Sequence, residues 1–60
     1  MNLNIYLDKK VQIILNNDFT YIGKVIDADE NSITLIDKNN SKVCIKENTI
    51  SLLKEVEDAI

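Results

Sequence analysis

Tyr21-Ile22-Gly23-Lys24-Val25, running on to Asp29, and Ile45-Lys46-Glu47-Asn48-Thr49-Ile50-Ser51-Leu52-Leu53 are the two stretches whose reading decides the fold. In the first, Phe19, Tyr21, Gly23 and Val25 alternate onto one face of a strand from Phe19 to Ile26, and Ile22 and Ile26 onto the other. A strand apolar on both faces, with a glycine inside, is expected to bend strongly and to serve two packing surfaces. Asp27 to Asn31 is the corner that follows. In the second stretch, Asn48-Thr49 shortens the link between two short strands, so that Ile45 and Ile50 both reach the core.

The rest of the chain repeats this pattern. Val11 to Leu15 alternates and stops at Asn16-Asn17-Asp18, where asparagine tolerates the left-handed backbone that hairpins require. Ser32 to Asp37 is a further strand, closed by Lys38-Asn39-Asn40-Ser41, and Lys42 to Ile45 is another, closed by Glu47-Asn48-Thr49. Ile50 to Leu53 is the last. Short strands with turn signals about every ten residues predict an all-β fold, a five-stranded, strongly bent small barrel. Proline is absent, which leaves both edge strands able to pair. At the N-terminal end Leu3, Tyr6 and Leu7 share a helical face, with Asn2 as N-cap, and a strand extension at Ile5–Leu7 competes with that reading. At the other end Leu53, Val56 and Ile60 have helical spacing among acidic residues, which fits a short helix on a partner or a frayed tail.

The 60 residues are read as one domain, a barrel over about 10–53 and an acidic tail over 54–60. A core of that size is marginal and is usually stapled by disulfides, a metal or a second chain. One cysteine and no histidine remove the disulfide and the zinc site, so self-association is the expected staple and no cofactor or metal is expected. Cys44 has no basic neighbour to activate it and reads as a small apolar filler. No apolar run reaches membrane length and no basic-then-apolar leader is visible, and a lone thiol fits a reducing compartment, so a cytoplasmic location without membrane contact is expected. The net charge of −3 argues against coating nucleic acid by bulk electrostatics but leaves room for a local basic pocket. No pair of carboxylates is set in an apolar context, and nucleophile elbows and phosphate-cradling glycine loops are missing, so no catalytic residue is assigned and the chain is read as non-enzymatic.

The two opening stretches resemble the Sm-like superfamily, which includes the Sm proteins and the bacterial host factor Hfq. That family's first motif is an aromatic residue, a glycine two positions on, an apolar residue and an aspartate; Tyr21, Gly23, Val25 and Asp29 fill those places. Its second motif is filled by Ile45, Lys46, Glu47, Ile50 and Leu53, and the match covers about Lys10 to Leu53. The resemblance implies that the fourth strand of one subunit pairs with the fifth of the next, closing a ring of six or seven that binds single-stranded RNA. The departures are specific. Asn31 stands two residues after Asp29 rather than four, and no planar side chain lies between them. Lys46 stands where the family has arginine, keeping charge without the flat guanidinium, and Glu47 stands where it has glycine. The first motif is also similar to the SH3-like barrels of ribosome-maturation factors and biotin–protein ligases, which bind protein or ribosome and need not form rings.

Asp29, Asn31 and Lys46 are therefore the candidate RNA-binding residues, and Gly23, Ile45 and Ile50 the structural ones. Each has a plainer role beside the functional one. Asp29 and Asn31 also suit an Asx turn, and Lys46 a solvated edge lysine that discourages aggregation. Tyr6, Phe19 and Tyr21 could stack bases, although alternation favours core or subunit-interface packing. The leading expectation is a homo-oligomeric Sm-like ring that binds RNA with modest affinity. The alternative is a protein-interaction or structural barrel that has lost its nucleotide pocket.

Overall fold

Alternation in the sequence becomes alternation of burial along every inner strand. The computed structural model describes residues 3–56. It contains a 3-10 turn η1 (Leu3–Tyr6), strands β1 (Lys10–Leu15), β2 (Thr20–Ala28), β3 (Ser32–Asp37) and β4 (Lys42–Lys46), a 3-10 turn η2 (Glu47–Thr49) and strand β5 (Ile50–Glu55). The five strands form one antiparallel sheet in the order β4-β3-β2-β1-β5. The fold is all-β, as expected.

Odd-numbered positions supply the inner face. Val11, Ile13, Val25, Ile33, Leu35 and Ile45, joined by Leu3 from η1, make the fully buried cluster, and Tyr6, Tyr21, Val43, Ile50 and Leu53 pack around it. A single sheet can enclose its own core only by curling, and η2 shows how far it does so. Its Glu47 N–H donates to Asn31 O just before β3 (2.7 Å), while Asn16 N–H, just after β1, donates to Thr49 O (2.9 Å). Three residues of 3-10 helix advance only about 6 Å, so the two edge strands β4 and β5 that η2 joins are drawn to one corner. The sheet is strongly bent.

Gly23 is required for space, since its backbone is not left-handed. A Cβ there would collide with the Ile36 carbonyl oxygen and stand 2.9 Å from a Leu35 methyl. The ladder itself breaks a little later, where the β2–β3 register shifts between Val25 and Asp27 and leaves Ile26 unpaired as a bulge. Left-handed backbone is taken by Asp18 in the first hairpin and Asn40 in the third, whereas neither Asn16 nor Asn17 has positive φ. Asn17 works through its side chain, whose oxygen accepts the Phe19 N–H (3.0 Å).

Several expectations are corrected. The N-terminal turn is 3-10, a form that stacks residues three apart; Leu3 and Tyr6 therefore face the core together while Leu7 points outward. Leu53 belongs to strand rather than helix, because β5 runs on to Glu55 and Val56 N–H still donates to Lys10 O (2.9 Å). Lys54 and Glu55 are thus sheet, not tail, while Asn2 and Ile60 lie outside the described residues. Cys44 is exposed opposite Thr34 and fills no core space. Ile22 and Ile26, expected to find a second packing surface, reach solvent. Among the described residues no helix is long and apolar enough to cross a membrane.

Candidate functional site

Register brings together what the sequence keeps fifteen residues apart. Ser32 on β3 faces Lys46 on β4, so the residue before Ser32 meets the residue after Lys46. That meeting is the hydrogen bond from Glu47 N–H to Asn31 O. Asn31, Lys46, Glu47 and Asn48 line an open depression of about 450 Å³. Two of the three residues proposed for RNA, Asn31 and Lys46, share it. Among the described residues, neither the Asn31 side-chain amide nor the Lys46 ammonium has a hydrogen-bond partner.

Asp29 stands behind this depression and holds its wall. Its Oδ1 accepts the backbone N–H groups of Asn31 (2.8 Å) and Ser32 (2.8 Å) and the Ser32 hydroxyl (3.2 Å), and its own N–H donates to Ser32 O (3.0 Å). The N–H of Asn31 first, and that of Ser32 next, favour the ionised form and hold the carboxyl below its usual range, with the Ser32 hydroxyl adding to them against a slight opposing effect of desolvation. Those bonds occupy Oδ1, so Asp29 shapes the corner rather than reaching into it.

On the other wall, the Thr49 hydroxyl donates to Lys46 O (2.7 Å) and the Asn16 side-chain amide to Asn48 O (3.2 Å). The corner is fixed from both sides. Glu47 is half-buried, and its backbone N–H is the group that reaches Asn31. Sequence reasoning missed Asn16 and Asn48. Asn48 lies inside the second motif and could have been singled out, whereas the role of Asn16 depends on β1–β5 pairing that no local spacing reveals.

Gly23, Ile45 and Ile50 lie away from the depression. Ile45 is in the core, Ile50 packs against it, and Gly23 lets β3 approach β2. None of the three aromatic residues lines the depression. Tyr6 and Tyr21 pack on the core, and Phe19, 54% exposed, sets its ring against Tyr21 with centroids 4.9 Å apart. Among the described residues no group of three or more His, Cys, Asp or Glu side chains is placed to hold a metal ion. Chemically, the corner offers one cation, one carboxylate, two carboxamides and backbone dipoles: a set that can contact phosphate and a base edge but has no stacking surface.

No protein-family model, curated protein or solved structure matches the chain.

Proposed function

We propose that the protein is a non-enzymatic Sm-like subunit that assembles into a homo-oligomeric ring and binds single-stranded RNA with modest affinity. The observation that carries this reading is the Glu47–Asn31 bond, which brings Asn31 and Lys46 into the lining of one depression. The sheet order supports assembly: β4 and β5 lie at opposite edges, five and six residues long, and neither contains proline. One edge can pair with the other in the next copy, giving the small core a larger shared one. In the ring, Lys46 meets phosphate, Asn31 a base edge, and Asp29 orients the loop.

A second reading, a protein-binding barrel without nucleotide affinity, is favoured by one feature of the same corner. Glu47 sets a carboxylate next to Lys46, and no ring system lies in the depression.

Native mass at micromolar concentration, followed by oligo-U and oligo-A binding across a salt series, separates the two. The ring reading expects a closed assembly and binding that weakens as salt rises. Lys46→Ala should weaken binding about threefold to tenfold and reduce the salt slope by about 0.7, with assembly unchanged. A monomer or dimer that retains no oligonucleotide at low salt would overturn the ring reading and favour the second.

A further inference from the structure

A carboxylate is the unexpected member of the depression between η2 and the Asp29 turn. Asn31, Lys46, Glu47 and Asn48 line it, so an ammonium, a carboxylate and two carboxamides share about 450 Å³. Glu47 is half-buried, and its backbone is fixed at both ends: its N–H donates to Asn31 O (2.7 Å), and its O accepts the Ile50 N–H that closes η2. The neighbouring residues are held as firmly. Asn31 N–H is bound to Asp29 Oδ1 (2.8 Å), and Asn48 O accepts from the Asn16 side-chain amide (3.2 Å). Glu47 has a further interaction within the chain. A carboxylate accepts at about four lone-pair positions, so that interaction leaves it able to accept more. No aromatic ring lines the depression, and a base lodged there is therefore held by its polar edge rather than by its face.

We propose that this depression selects guanine among the bases of single-stranded RNA, with Glu47 as the residue that decides; the inference rests on the RNA-binding reading above. Unpaired bases present their Watson–Crick edges to a protein. Along that edge guanine carries an acceptor, O6, followed by two donors, N1–H and N2–H. The two oxygens of the Glu47 carboxylate accept both donors, the Asn31 amide donates to O6, and Lys46 keeps its phosphate. No other base fits this order. Uracil has a donor at N3 only, flanked by two carbonyl oxygens. Adenine and cytosine have an exocyclic amine followed by a bare ring nitrogen. Each of these sets a lone pair against one carboxylate oxygen, which leaves a half-buried charge short of a partner. Hydrogen bonds to a carboxylate are about twice as strong as those between neutral groups, which compensates for the missing stack. Lys46, the preceding residue, offsets the repulsion between Glu47 and the phosphate.

Fluorescence anisotropy tests the proposal with short labelled strands that repeat guanosine-uridine-uridine, adenosine-uridine-uridine or inosine-uridine-uridine, beside oligo-U of equal length. The guanosine strand should bind about tenfold more tightly than the adenosine strand or oligo-U. Inosine lacks the N2 amine, and its strand should bind about threefold more weakly than the guanosine strand. Glu47→Gln should erase the preference for guanosine at unchanged native mass, with oligo-U bound as well as before or better. If that variant does not fold, the inosine strand on the unaltered protein makes the same test from the side of the base. Equal affinity for the guanosine and adenosine strands, or for the guanosine and inosine strands, would overturn the proposal and leave RNA binding standing. A preference that survives Glu47→Gln would overturn the role given to Glu47. If no strand is retained at low salt, the RNA-binding reading itself falls, and guanine selection with it.

Discussion

Both ends of β3 are closed by an aspartate that folds its own turn. At one end Asp29 Oδ1 accepts the N–H groups of Asn31 and Ser32; at the other Asp37 Oδ1 accepts those of Asn39 (2.8 Å) and Ser41 (3.0 Å). The local sequences, Asp-Glu-Asn-Ser and Asp-Lys-Asn-Asn-Ser, are near repeats. Their surroundings differ. The Asp29 corner is bonded to η2 and adjoins Lys46, whereas Asp37 lies opposite Gly23, where two backbones nearly touch. An aspartate closing a turn is therefore a device of backbone satisfaction. Only the company it keeps makes one of these turns a candidate site.

The largest expected effect strikes the Asp37 end. Gly23→Ala must force the Ile36 carbonyl away and should lower stability by about 3 kcal/mol in chemical denaturation, enough to matter for a domain of this size. A loss below about 0.5 kcal/mol would mean that β2 and β3 separate there without cost, and the contrast between the two ends would weaken. Next, Asp37→Ala should lower stability by about 1 kcal/mol through two unsatisfied turn amides while leaving RNA affinity unchanged. Asp29→Ala, by contrast, should reduce RNA affinity together with stability, because the wall that presents Asn31 loses its support. If both variants changed affinity equally, the two turns would be functionally alike.

The smallest effect is a pH dependence specific to Asp29. Its carboxyl is held low in the folded chain, so the stabilisation is fully present above the ordinary aspartate value and is lost as pH falls through the folded value. Below about pH 4, stability should therefore decline in the parent chain, and less steeply in Asp29→Asn. NMR titration of the Asp29 side chain should give a midpoint below the ordinary one. A midpoint at or above it would remove the two N–H groups as the cause.

Most of the strand pattern was legible because period-two alternation is written directly in Val11–Leu15, Ser32–Asp37 and Lys42–Ile45. The C-terminal end of β5 and the first turn were not, since Leu53, Val56 and the Leu3–Leu7 segment each fit a helical period as well as an extended one. Tertiary pairing to β1 settled the first of these and burial of Leu3 the second. Asn31 and Lys46 could be named from spacing, but their adjacency depends on the β3–β4 register. The alignment of Lys10, Lys24, Ile36 and Lys42 across four strands depends on three registers at once and has no trace in any local window.

One feature of the topology bears on how the chain is made. β1 lies between its sequence neighbour β2 and the far strand β5, with Val11 opposite Glu55. The β1–β2 hairpin can close once both its strands are available, but the other margin of β1 must wait until β3, β4 and β5 have been made as well. A nascent chain halted at Thr49 would hold that margin bare, with its amides and carbonyls open to any extended stranger. The interval between hairpin closure and the arrival of β5 is therefore the period in which this small protein is most exposed to misassembly.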